Sequence, residues 1–118
     1  MNQDYLLADA KQESLALAAG GPSPARPRLV WAAGGEALAA LRMAIWSMVQ
    51  AGYASAHDAV VAGQLARVLT GGELSRPGWV SEQHLLDLER EAFLALCAEP
   101  KTQERMWHML QHKKPLRN

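Results

Sequence analysis

Apolar residues recur in this chain at the three- and four-residue spacing of one helix face, in five runs closed by glycine or proline. No stretch shows the sustained alternation of a half-buried strand. The spacing therefore predicts an all-α fold of about five helices in a small irregular bundle, with a Pro-rich linker after the first helix. Its 118 residues allow one domain, with a single modest core. Hydrophobic residues make up 49%, too many for a disordered tail.

The first helix is expected from about Asp4 to Ala19, with Leu6, Leu7, Ala10, Leu15 and Ala18 as its apolar stripe. Gly20-Gly21-Pro22 stops it. Residues 20–35 read as a linker, with Pro22, Pro24 and Pro27 favouring extended and mobile backbone. Within it Leu29-Val30-Trp31 is an apolar triplet of the kind that docks onto something. Residues 36–118 read as a helical domain. Its first helix, from about Glu36 to Gln50, is apolar nearly all round, so it is either central or faces a partner. The next begins near Ser55, where Ser55 and Asp58 are spaced as a capping box, and is expected to bury Val60, Val61, Leu65, Val68 and Leu69. A loop with Pro77, Gly78 and Trp79 leads to Ser81, the cap of a helix whose inner face is Leu85, Leu88, Ala92 and Leu96, widened by Leu86, Phe93 and Cys97. Pro100 opens the last helix. Met106, Met109 and Leu110 are expected to line its inner side, and Lys113 and Lys114 to complement its C-terminal dipole.

Twelve Lys and Arg balance twelve Asp and Glu, which argues against nucleic acid as a partner. The balance hides an asymmetry. Residues 81–99 hold Glu82, Asp87, Glu89, Glu91 and Glu99 against Arg90, whereas residues 101–118 hold Lys101, Arg105, Lys113, Lys114 and Arg117 against Glu104. The single cysteine, Cys97, excludes an internal disulfide and fits a buried thiol in a reduced, cytoplasmic setting. No run approaches the roughly 18 apolar residues of a membrane span, and the N-terminus lacks a signal-peptide pattern.

The residue types that carry chemistry are weakly organised. Arg28-Leu-Val-Trp-Ala-Ala-Gly-Gly-Glu36 looks like a short strand, a glycine turn and a helix start, without the full phosphate-loop pattern. His108 and His112 lie four apart, a spacing that suits a metal, with no third ligand to complete a set. His57-Asp58 in a helix first turn suits capping better than acid–base work. Glu82, Glu89 and Glu91 read as a solvated helix face. Hence no catalytic residue and no metal ligand is assigned. Four of seven aromatics are tryptophan, and Trp31, Trp46 and Trp79 are candidates for self-association or for filling a small core.

Several stretches follow one another as in a single family: Ala40-Leu-Arg-Met-Ala-Ile-Trp46, Ala51-Gly-Tyr-Ala-Ser-Ala-His-Asp58, Leu65-Ala-Arg-Val-Leu-Thr-Gly-Gly-Glu-Leu-Ser75, Ser81-Glu-Gln-His-Leu-Leu-Asp-Leu-Glu-Arg-Glu-Ala-Phe93, Lys101-Thr-Gln-Glu-Arg105 and Lys114-Pro-Leu-Arg-Asn118. They resemble the extreme C-terminus of the bacterial fused 3-hydroxyacyl-CoA dehydrogenase/enoyl-CoA hydratase of fatty-acid β-oxidation. Tyr5-Leu-Leu-Ala-Asp-Ala-Lys11 is similar to the helix after the last core strand of crotonase-fold hydratases, and the closing two helices are similar to theirs.

The resemblance implies an oxidoreductase of lipid metabolism whose NAD-binding domain and crotonase core precede this region. NAD and acyl-CoA would be bound by the whole protein, with no cofactor held by this region alone. Its helices would cover the acyl-CoA site and support assembly without catalysing either reaction. The implied partner is the upstream crotonase core. In crotonases an aromatic and a lysine of the last helix touch the CoA nucleotide; here those places hold Met109 and His112, leaving Lys113 and Lys114 as the candidate contacts to CoA phosphates. The rival expectation is a freestanding helical interaction or homodimerisation module, which the apolar second helix would serve.

Overall fold

The computed structural model describes residues 5–21 and 28–118. The fold is mostly helical: α1 (Leu6–Ala19), β1 (Leu29–Ala32), α2 (Gly34–Gln50), α3 (Ala56–Leu69), β2 (Gly78–Ser81), α4 (Glu82–Cys97) and α5 (Pro100–His112). All five expected helices form, and the stops fall where glycine, threonine or proline interrupts the periodicity. The expectation of extended backbone at Pro22, Pro24 and Pro27 lies outside the described residues.

Two caps act as their spacing requires. The Ser55 side chain accepts from the Asp58 backbone N–H at 3.1 Å, and the Asp58 carboxylate accepts from the Ser55 N–H at 2.9 Å. The Ser81 side chain accepts from the His84 N–H at 3.1 Å.

The sheet is a departure from the helical expectation. β1 and β2 pair antiparallel, with Leu29 opposite Ser81, Val30 opposite Val80, Trp31 opposite Trp79 and Ala32 opposite Gly78. The Leu29–Trp31 triplet pairs through its backbone, while its three side chains stay exposed. Its partner is the stretch read as a loop, because four residues bounded by Pro77 and a helix cap are too few to show a period. Gly34 ties the ribbon to α3. Its N–H donates to the Thr70 carbonyl at 3.0 Å, and its φ of 73° places it where L side chains are disfavoured.

The core is thin. Ala32, Leu38, Ala66, Leu88 and Ala92 are its buried apolar residues, joined by His57 and Thr70. On α4 the expected face holds: Leu88 and Ala92 are buried, and Leu85 and Leu96 half-buried. Other expected inner faces are not covered. Val60, Leu65 and Leu69 of α3 are exposed, and α3 packs instead through His57 and Ala66. Met106, Met109 and Leu110 of α5 are exposed, as are Leu86 and Phe93. Cys97 is half-buried, and α1 buries none of its residues. α2 is not the central helix: its only buried residues are Gly34 and Leu38, and Leu41, Met43, Trp46 and Met48 face out.

The accessible surface is 9474 Å². A compact monomer of this mass exposes roughly 6,300 Å². The radius of gyration, 20.9 Å, likewise exceeds the roughly 13–14 Å of a compact chain this long. No helix among the described residues is long and apolar enough to cross a membrane.

Candidate functional site

The densest polar cluster lies where the N-terminus of α3 meets α5. The capping box holds Asp58 in place with one carboxylate oxygen on the Ser55 N–H. The other accepts from Arg105 Nη1 at 2.7 Å. Arg105 also donates from Nε to the Asn118 side-chain oxygen at 2.7 Å and from Nη2 to the Asn118 backbone oxygen at 3.3 Å. Asn118 in turn donates to Glu104 at 2.7 Å and to the Lys101 carbonyl at 3.3 Å. One guanidinium therefore joins α3, α5 and the last residues of the sequence. Beside it, His57 Nε2 lies 3.0 Å from Thr102 Oγ1.

These bonds favour the ionised carboxylate. The Ser55 backbone N–H and then the Arg105 guanidinium lower the pKa of Asp58 to about 2. A depressed carboxylate pKa stabilises the fold above its unfolded value, near 4, and that contribution is lost as pH falls toward 2. Melting temperatures measured from pH 6 to pH 2 should show the advantage of the native chain over Asp58→Asn shrinking across that window. A difference that stays constant with pH would remove the bonds to the Asp58 carboxylate from the account of stability.

Arg117 reaches a cavity of about 300 Å³ that Ile45, Met48, Tyr53, Asp58, Ala59 and Ala62 also line. A second recess of about 260 Å³ runs between α3 and α4 over Leu65, Val68, Ala92, Phe93 and Leu96. On the ribbon, Trp31 and Trp79 meet edge to face with centroids 5.3 Å apart, and both are exposed.

The candidate residues from the sequence are scattered among these features. Asp58 caps as expected, whereas His57 is buried and reaches α5 rather than its neighbour. The His108 and His112 rings lie tilted at 47° with centroids 4.6 Å apart, and His108 Nδ1 lies 2.9 Å from the Lys114 carbonyl. Among the described residues no group of three or more His, Cys, Asp or Glu side chains is placed to hold a metal. Lys113 and Lys114 are exposed just beyond α5, with Lys113 in the left-handed region at φ 55°. Trp46 lies on the outer face of α2, away from the ribbon pair in sequence and in element. Arg105 and Asn118 were missed by sequence reasoning. Their only signal was an arginine and an amide in a basic segment.

The comparisons with known proteins give one informative likeness. No family profile matches the chain, and no solved structure matches it. Over all 118 residues it is 45% identical to a protein of Bacillus subtilis (strain 168) described as "Probable 3-hydroxyacyl-CoA dehydrogenase". The chain spans 15% of that protein's length. The likeness agrees with the dehydrogenase half of the resemblance drawn from the sequence motifs.

Proposed function

We propose that this chain is the closing helical region of a 3-hydroxyacyl-CoA dehydrogenase fused to an enoyl-CoA hydratase, laid over the acyl-CoA site and supporting assembly. The observation that carries the dehydrogenase part of the reading is the 45% identity over all 118 residues, and the hydratase part rests on the motif series of the sequence. Surface area supports it. The excess over a compact monomer, roughly 3,000 Å², is several times the roughly 800 Å² that one partner loses in a standard interface. Burying that much calls for a body that meets several faces at once, including the outer face of α2 and the ribbon tryptophans. Chemistry on acyl-CoA with NAD would belong to the remainder of such a protein, with this region shaping and shielding the site.

The test is complementation in the longer dehydrogenase to which the chain is similar. The matching segment is deleted, and turnover of an acyl-CoA substrate and oligomeric state are measured with and without the 118-residue chain added back. Restored assembly and turnover are expected, with none from the chain alone. Full activity of the deleted protein would overturn the reading.

The outward face of α2 favours a second reading, self-association through Trp46 together with Trp31 and Trp79. Sedimentation of the isolated chain discriminates, since a monomer at high concentration excludes it.

A further inference from the structure

The turn that ends α5 fixes where one of its histidines carries a proton. Lys113 adopts the left-handed region at φ 55°, and its N–H closes the helix on the Met109 carbonyl at 2.9 Å. The chain then turns back, and the Lys114 carbonyl comes to 2.9 Å from His108 Nδ1. A carbonyl oxygen can only accept, so Nδ1 carries the proton and donates it. In the neutral ring this leaves Nε2 bare, with its lone pair available. Metal-binding histidines characteristically have such a carbonyl on the far nitrogen. It fixes the tautomer and the ring plane and raises the basicity of the other nitrogen. One turn on, His112 lies on the same face of the helix. The two ring centres are 4.6 Å apart, with planes tilted by 47°. Rings stacked in parallel could not aim their in-plane lone pairs at one point, whereas tilted rings can. A metal bound by two imidazole nitrogens lies about 2.0–2.1 Å from each, which holds the ring centres roughly 4.5–5 Å apart when they sit side by side on the ion. The observed separation falls in that range.

We infer that His108 and His112 form a two-histidine site for a late first-row divalent cation, Zn(II) or Ni(II), with water in the remaining positions. Imidazole suits these ions, whereas Mg(II) and Ca(II) prefer oxygen. His112 is exposed and His108 half-buried, so solvent reaches the pair. The described residues bring no third His, Cys, Asp or Glu to it, so the site is open and exchangeable, unlike a closed structural zinc centre. The neighbouring charges are Lys113 and Lys114, both exposed. Their repulsion of the ion is screened by salt. The four-residue spacing alone does not distinguish a chelate from two solvated side chains. The bond from Nδ1 to the Lys114 carbonyl and the ring separation are what single this pair out. Bound metal would brace the last turn of α5, a helix with no buried residue to hold it. The site goes beyond the proposed enzymatic role and does not depend on it.

Calorimetric titration of the 118-residue chain with nickel chloride, in a buffer that does not chelate, tests it. One Ni(II) per chain is expected. Zn(II) should compete for the same site, and Mg(II) should not displace the nickel. His108→Asn and His112→Asn should each weaken binding at least about tenfold, because losing even an outer-shell partner of a ligand costs about that much. Combining His112→Gln with Lys113→His keeps the histidine count but moves the second ring off the shared face. That variant should bind no better than His112→Asn. Cys97→Ser should bind as the native chain does. Raising the salt to half molar should leave the affinity unchanged or increase it, because the nearby charges are cations. Zn(II) should raise the melting temperature of the native chain and leave that of His112→Asn unchanged. The substituted positions lie at the end of α5 or are only half-buried, so the variants should fold, and an unchanged circular dichroism spectrum verifies that. No binding, undiminished binding by either asparagine variant, native affinity in the shifted pair, or loss on Cys97→Ser would overturn the inference. So would an affinity that falls with salt, which would place the metal on surface carboxylates.

Discussion

Gly71→Ala should destabilise the folded chain by about 2–4 kcal/mol. Gly71 has φ 81°, where an L side chain is strained. A Cβ there would lie 2.5 Å from the Ala32 Cβ and 3.0 Å from Leu74 Cδ1. The Ala32 methyl cannot swing aside, since it has no rotamer and sits 2% exposed on β1. The clash would force the ribbon away from the end of α3 and disturb the Gly71 carbonyl, which lies 2.9 Å from His84 Nε2. Gly63→Ala supplies the contrast. It lies within α3 with no atom within 4 Å of its would-be Cβ, so alanine there should stabilise by up to about 1 kcal/mol. Denaturant unfolding of both variants checks the pair. Equal stability of Gly71→Ala and the native chain would mean that the ribbon does not close on α3.

His57→Ala should cost about 2–3 kcal/mol and loosen α5 first. The ring is 4% exposed and fills the junction of α3 with α5, so alanine leaves a void as well as an unpartnered Thr102 hydroxyl. Thr102→Val removes only the hydrogen bond and should cost about 1 kcal/mol. Melting temperatures separate the two, at roughly 4 °C for each kcal/mol. Hydrogen exchange should show α5 amides losing protection before those of α4, since α5 has no buried residue of its own. Equal losses from the two variants would show that the ring contributes a hydrogen bond and no packing.

Local features were legible wherever one short stretch holds both partners. The Ser55–Asp58 box and the Ser81 cap span four residues each, and both form with the expected bonds. The inner face of α4 was legible because its apolar and charged residues are cleanly separated. On α2 the apolar residues run round the helix, so periodicity could not name the buried side. The faces of α3 and α5 were misjudged for a related reason. Periodicity identifies an apolar stripe but not what covers it, and here Leu65, Leu69, Met106 and Leu110 are left uncovered.

The candidate site was less legible than the fold. Arg105 meets Asp58 across 47 residues, and His57 meets Thr102 across 45. Neither pair has a local spacing to betray it. The motif series pointed to a dehydrogenase region because a string of short words in order survives without any knowledge of contacts. It could not say which surfaces that region presents.

By itself, then, the sequence determined the five helices, their caps and stops, and the likeness to part of a dehydrogenase. These depend on backbone geometry and side-chain chemistry within a few residues. Only the tertiary structure decided that Leu29–Ala32 pairs with Gly78–Ser81, that a single arginine gathers α3, α5 and Asn118, and that the larger apolar side chains stay outside a core built mainly of alanine and leucine. Those outcomes depend on how much surface the chain can cover with itself. That is a property of the whole arrangement, and no local spacing encodes it.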